Sequence, residues 1–291
     1  MEIIIAQIIN GVVLGSIYAL LVTGFNLMFL VGKIIHFSYP YIVVLSMYIS
    51  WGVLHITDNV ILVGIVTIAG SIGMHLLIGP LFYHLNNRKS SIDINTSFIV
   101  SLGIALILTE IMSHHIHYGF PVSFPVNWLG NMTFMRINMI NISKGQILTL
   151  FLSILLVLVL FLLIYRTQLG RAFRAIAESI SKARLQGIPV QELNLLLFVI
   201  TGLIGGIIAL LLSMLLGAAS PWLGDHIALK VLAVAIVAGL GNLEGGLICG
   251  LSLGIAETLI IHFLPGSWTN TIAFMMMLIV VLMRPKGIFN R

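Results

Sequence analysis

Six long apolar stretches of this chain contain no Asp, Glu, Lys or Arg at all: residues 3–32, 34–57, 59–87, 145–165, 193–224 and 258–283. Crossing a bilayer as a helix takes about 20 apolar residues, so each stretch is long enough for at least one span. Lipid offers the backbone no hydrogen bonds, and a chain built from such runs satisfies its own by forming helices. Two further apolar stretches, 94–109 and 231–256, are shorter or interrupted. The expectation is an all-α, polytopic membrane protein with eight or nine transmembrane helices, forming one transmembrane domain over residues 1–291. Only 8% of residues are charged and 59% are hydrophobic, and no polar stretch is long enough for a separate soluble domain. Met1-Glu2 puts a negative charge where a signal peptide carries a positive one, so a retained first span is expected. Cys249 is alone and sits among glycines, where small-residue packing suits it.

The cations give the orientation. With the gaps between runs alternating sides, one side holds Lys33, Arg88, Lys89, Arg166, Arg171, Arg174, Lys182, Arg184, Arg284, Lys286 and Arg291. The other holds Arg136, Lys144 and Lys230, which together account for all 14 Lys and Arg. The positive-inside rule makes the first side cytoplasmic. The split needs nine crossings, with the amino terminus outside and the carboxyl terminus inside; the Gly-rich region 239–246 is the weakest crossing and has a re-entrant alternative. The net charge of +5 thus reflects topology, and no basic domain suggests nucleic acid. The sizeable outward loop, roughly 114–144, carries Pro121, Pro125, Trp128 and Gly130.

Charge is dense in one internal segment, GRAFRAIAESISKARLQGIP, residues 170–189. Phe173, Ile176, Ala177, Ile180 and Ala183 share one helical face, and Arg171, Arg174, Glu178, Ser181 and Lys182 take the other. Gly187 and Pro189 end the pattern. A short two-faced cytoplasmic helix over about 171–185 is predicted, and the pattern alone equally describes a plain linker lying on the membrane surface.

The same segment, GRAFRAIAE at 170–178 with Ala183 and Gly187-Ile188, resembles the cytoplasmic loop of ABC-transporter permeases for branched-chain amino acids. Other strings match that family in order: INGVVLGSIYAL (9–20), SPWLG (220–224) with Leu229-Lys230, GLGNLEGG (239–246) with Gly250 and GIAE (254–257), and RPKGI (284–288). The resemblance covers essentially the whole chain. It implies an ABC importer permease fold in the plasma membrane, with residues 170–189 as the loop that docks into an ATPase subunit, and it makes Arg171, Arg174, Ala177, Glu178, Lys182, Ala183 and Gly187 the ATPase-coupling residues. The implied partners are two cytoplasmic ABC ATPase subunits, a second permease subunit (different or identical) and an extracytoplasmic solute-binding protein. ATP and Mg would be bound by the ATPases and no cofactor by this chain. Two departures stand out: IHFSYP at 35–40 replaces an I-N-F-A-H-G-type motif, and the acidic pair of the coupling loop is reduced to Glu178-Ser179.

The remaining polar residues fit transport better than chemistry. Gly241 and Gly246 have P-loop spacing, yet Leu247 and Ile248 stand where Lys and Ser/Thr are required; the repeated small-x3-small spacing through Gly254 instead suits close helix packing. His114, His115 and His117 lack metal-ligand spacing and read as interfacial, with Glu110 nearby and Glu244 at the cytoplasmic boundary. No catalytic constellation is present, so an enzyme is not expected. Candidates for a substrate route are Asn10, Tyr18, Asn26, His36, Ser38, Tyr39 and Glu257, each with helix–helix hydrogen bonding as its structural alternative. Beside these readings, the resemblance implies a permease that moves branched-chain or related hydrophobic amino acids inward, with a urea or short-amide permease, or an ATP-independent secondary transporter or channel, as alternatives.

Overall fold

The computed structural model describes residues 2–87, 94–125, 133–137, 140–263, 268–284 and 287–289. Eleven helices are described: α1 (Glu2–Gly32), α2 (Tyr39–Leu54), α3 (Val60–Asn87), α4 (Ile94–Glu110), α5 (Lys144–Arg166), α6 (Gln168–Glu178), α7 (Ile180–Leu185), α8 (Val190–Leu216), α9 (Leu223–Ala238), α10 (Leu243–Phe263) and α11 (Trp268–Met283). A widened turn, Ile111–His115, continues α4. The chain is therefore mostly helical, as expected. It departs from all-α in two small antiparallel ladders, β1 (Val122–Ser123) with β4 (Ala218–Ala219), and β2 (Thr133–Ile137) with β3 (Ile140–Ser143). Arg88, Lys89, Trp128, Gly130, Lys286 and Arg291 lie outside the described residues.

Among the described residues, six helices are long and apolar enough to cross a membrane: α1, α3, α4 with its widened turn, α5, α8 and α10. α2, α9 and α11 have 16 residues each, about 24 Å of helix against a hydrocarbon core of about 30 Å. Irregular chain leads into α2. After Lys33, which takes a left-handed φ of 53°, residues 34–38 run as a mostly buried non-helical link into the helix. Such backbone is tolerated at depth only where protein groups satisfy it. Ser101 of α4 does this, accepting from Phe37 N at 3.1 Å and donating to Ile35 O at 2.9 Å.

The core is a set of close helix pairs. α1 lies along α10 with Gly11, Gly15, Gly250 and Gly254 at the crossing, and Gly202 and Gly206 of α8 meet the backbone of α3 at Ile72 and Ile68. Without side chains in the way, backbones approach and dispersion contacts take over the role that the hydrophobic effect has in water. α5 starts with a complete capping box: Ser143 Oγ accepts from Gln146 N at 3.2 Å, and Gln146 Oε1 accepts from Ser143 N at 2.9 Å.

Two expectations need correction. Residues 171–185 are two helices, because Ser179 at φ −163° and ψ 115° breaks the run and starts α7 with its side chain as cap. Lys230, assigned by charge alternation to a loop, is inside α9 and 8% exposed. The Gly-rich stretch beginning at Gly239 is a tight turn joining α9 to α10, with Gly239 and Gly241 at φ 95° and 84°.

Candidate functional site

The charged segment is built by its neighbours. Thr167 caps α6 by accepting from Gly170 N at 3.1 Å. Gly170 lies on the carbonyls of Leu163 and Ile164, with no room for a Cβ. Phe173, Ile176 and Ala183 are each 1% exposed, so the apolar face is seated on the bundle, with Ala177 and Ile180 half-buried beside them. Past α7, Gly187 takes φ 78° and Ile188 N reaches back to Ala183 O at 3.1 Å, which closes the helix. Arg171, Arg174, Glu178, Lys182 and Arg184 are all exposed. Arg174 Nη1 donates to Ile164 O at 2.6 Å, which holds one edge of its guanidinium against the end of α5. Lys182 and Glu178 approach to 4.0 Å with both side chains mostly in solvent, a pairing worth little by itself. The segment therefore offers a firmly seated, cation-rich surface free for a partner.

A different chemistry lies within the bundle. Lys230 of α9 donates from Nζ to Glu257 Oε1 of α10 at 2.6 Å and to the Tyr18 hydroxyl of α1 at 3.2 Å. Both ionic side chains are 10% exposed, and Glu257 Oε2 has no hydrogen-bond partner among the described residues. Charges at this depth persist only when paired and hydrogen-bonded, so the trio ties three helices at one point. α9 is also tied to α2, where the Tyr41 hydroxyl donates to Asp225 Oδ1 at 2.6 Å.

His36, Ser38 and Tyr39 form a second polar site, all fully buried. Ser38 Oγ is 2.9 Å from His36 Nδ1. His75 of α3 joins them, its ring 5.5 Å from that of His36 and 5.7 Å from that of Tyr39. His36 Nε2, His75 Nε2, the Tyr39 hydroxyl and Ser71 Oγ are buried without partners among the described residues, leaving hydrogen-bonding capacity unused at the heart of the fold.

The substrate-route candidates thus fall in separate places. Tyr18 and Glu257 come together, as do His36, Ser38 and Tyr39. Asn10 and Asn26 join neither group. Asn10 Oδ1 accepts from Gln146 Nε2 of the α5 capping box at 2.7 Å. Asn26, fully buried, braces the α9–α10 turn by donating to Asn242 O at 2.9 Å and accepting from Gly241 N at 3.3 Å. Replacing Asn26 by alanine is expected to cost about 1–3 kcal/mol through the two backbone groups it strands, read as a lower unfolding midpoint in detergent. Lys230, His75, Tyr41 and Asp225 were missed as partners. The available signal was that each is a polar residue inside or at the edge of an apolar run.

The family model for the branched-chain amino acid transport system permease component matches residues 7–281. The chain belongs to that family. The permease is 28% identical to the high-affinity branched-chain amino acid transport system permease protein BraD of Pseudomonas aeruginosa, over 98% of this chain and 95% of the relative. It is 26% identical to LivH of Escherichia coli K12, with the same coverage of both chains. A shorter match, 41% identical over 28% of this chain and 20% of the relative, links it to the xylose transport system permease protein XylH of Escherichia coli K12. No solved structure matches it significantly. The permease is a multi-pass membrane protein and a transport component, not an enzyme.

Proposed function

We propose that this permease imports branched-chain or related hydrophobic amino acids as the membrane subunit of an ATP-driven ABC transporter in the plasma membrane. The observation that carries this reading is the exposed, cation-rich α6–α7 pair, seated by Phe173, Ile176 and Ala183, on a chain whose family match runs nearly end to end. The relatives named above that cover almost the whole chain bear branched-chain amino acid names, whereas the sugar permease matches less than a third of it. The helices cross nine times, with α1 beginning outside and α11 ending inside, so α6 and α7 face the cytoplasm. One ATPase subunit docks there and the other on a second permease, which completes the pore, and a solute-binding protein delivers cargo from outside. ATP and Mg belong to the ATPases, and this chain needs no cofactor of its own.

Charge reversal at the docking surface tests the reading. Arg174→Glu combined with Glu178→Lys is expected to lower binding-protein-stimulated ATPase activity of the assembled complex at least tenfold, or to prevent co-purification of the ATPases. Full assembly and unchanged coupling would remove the docking assignment, and a permease that transports without any ATPase would favour a secondary transporter. The departure at 35–40, which brings His36 against His75, favours a short-amide cargo as the second reading. Affinity of the co-purified binding protein for leucine against urea decides between them.

A further inference from the structure

A groove of about 420 Å³ opens at the end of the bundle that carries α6, between the last turns of α1 and α5, the side of α6 and the first turn of α10. Its walls combine two cations, Lys33 and Arg174, one carboxylate, Glu244, with the Tyr165 hydroxyl beside it, and apolar surface from Phe29 and Leu240. Among the described residues neither Lys33 nor Glu244 enters an ion pair. Lys33 Nζ stands 5.8 Å from the centre of the Phe29 ring, and the Arg174 guanidinium 5.7 Å from that of Tyr165. Among the described residues one Arg174 donor is taken up, by the Ile164 carbonyl. Opposite charges that form no ion pair among the described residues, beside the apolar side chains of Phe29 and Leu240, in a volume typical of small-molecule sites, suit a ligand with both charges at one end and a hydrocarbon at the other. A free aliphatic amino acid has that form.

We propose that this groove is an inhibitory site for the imported amino acid on the cytoplasmic side. It rests on the function proposed above, which makes such an amino acid the product of transport. The carboxylate lies against Lys33 and Arg174, the ammonium against Glu244, and the side chain against Phe29 and Leu240. Arg174 belongs to α6 while Lys33 and Glu244 belong to the bundle, so an occupant bridges the docking segment to the spans. A ligand that binds this arrangement better than one with α6 displaced shifts the balance toward the arrangement it bridges. Accumulated product thereby slows the ATPase cycle.

The test uses the complete transporter in nanodiscs without binding protein, with leucine titrated against ATP hydrolysis. Leucine is expected to lower the rate at least threefold at saturation. Lys33→Met and Glu244→Gln, each normalised to its own rate without leucine, are expected to raise the half-inhibiting concentration at least tenfold. No inhibition by leucine, isoleucine or valine overturns the proposal, as does inhibition unaltered in both variants. Leucine uptake into proteoliposomes with the binding protein present separates the two readings. Uptake without inhibition removes this site and leaves the transport function standing, whereas absence of uptake for all three amino acids removes both.

Discussion

Lys230→Met is expected to destabilise the protein by about 3–5 kcal/mol, the cost of leaving a buried partner charge uncompensated. Among the described residues Glu257 already has one carboxylate oxygen without a hydrogen-bond partner, and the substitution takes away the donor 2.6 Å from the other. Tyr18 loses its Lys230 contact in the same step. The expected readout is a much lower unfolding midpoint in detergent and a smaller monodisperse fraction on size exclusion. Glu257→Gln alone should also be destabilising, since it leaves the ammonium facing an amide. The double variant Lys230→Met with Glu257→Gln should recover most of the loss, because removing both charges also removes the desolvation penalty. A single variant as stable as the parent would show that the ion pair does not hold α1, α9 and α10 together. A double variant that is stable but transports nothing would instead assign the pair to the substrate route, where Tyr18 and Glu257 were first placed.

A comparable loss is expected from one added methyl group at Gly254. A Cβ there would fall on the backbone of Gly15 in α1, and one at Gly15 would sit 2.7 Å from the Leu251 carbonyl oxygen of α10. Neither neighbour is a flexible side-chain end, so two helices must separate. Separation also stretches the Thr258 hydroxyl bond to Gln7 O, now 3.0 Å, and the Lys230 contacts beyond it. Overpacking generally costs about 1–3 kcal/mol, and this site is expected at or above the top of that range. Gly103→Ala is the control. Nothing lies within 4 Å of a Cβ at that position, and alanine favours a helix over glycine by about 1 kcal/mol. Gly254→Ala should lower the unfolding midpoint sharply while Gly103→Ala leaves it equal or higher. Equal behaviour of the two would mean that the α1–α10 seam is looser than its backbone contacts imply.

What could be read beforehand follows the range of the interactions involved. Local periodicity placed Phe173, Ile176 and Ala183 on a buried face, and the structure buries all three. The same periodicity passed over Ser179, since a face pattern carries no information on whether a serine turns its side chain to cap the next helix. Lys230 was misplaced because a rule that reads each cation as a loop marker cannot see a carboxylate 27 residues further along. Glu257 stood out as a charge in an apolar stretch, and its polar partner was open between side chain and substrate. Asn26 looked available for cargo because its true partners, the backbone of Gly241 and Asn242, lie on a turn more than 200 positions away. His75 sits in an apolar run far along the chain from His36, and no local pattern pairs the two. Individual helices were legible, therefore, and the polar contacts that register one helix against another were not.

The seam between α1 and α10 also orders events in time. Thr258 bonds to the carbonyl of Gln7 across 251 positions, which at about 5–20 residues per second of synthesis is a delay of roughly 13–50 s. Throughout that interval the glycine face of α1 is in the membrane without the helix that will cover it. A ribosome still at work on α9 has already delivered a helix with an unfilled contact surface, open to lipid, to an insertion factor or to the wrong neighbour. Variants that slow the appearance of α10, without changing a single contact in the finished protein, should therefore lower its yield.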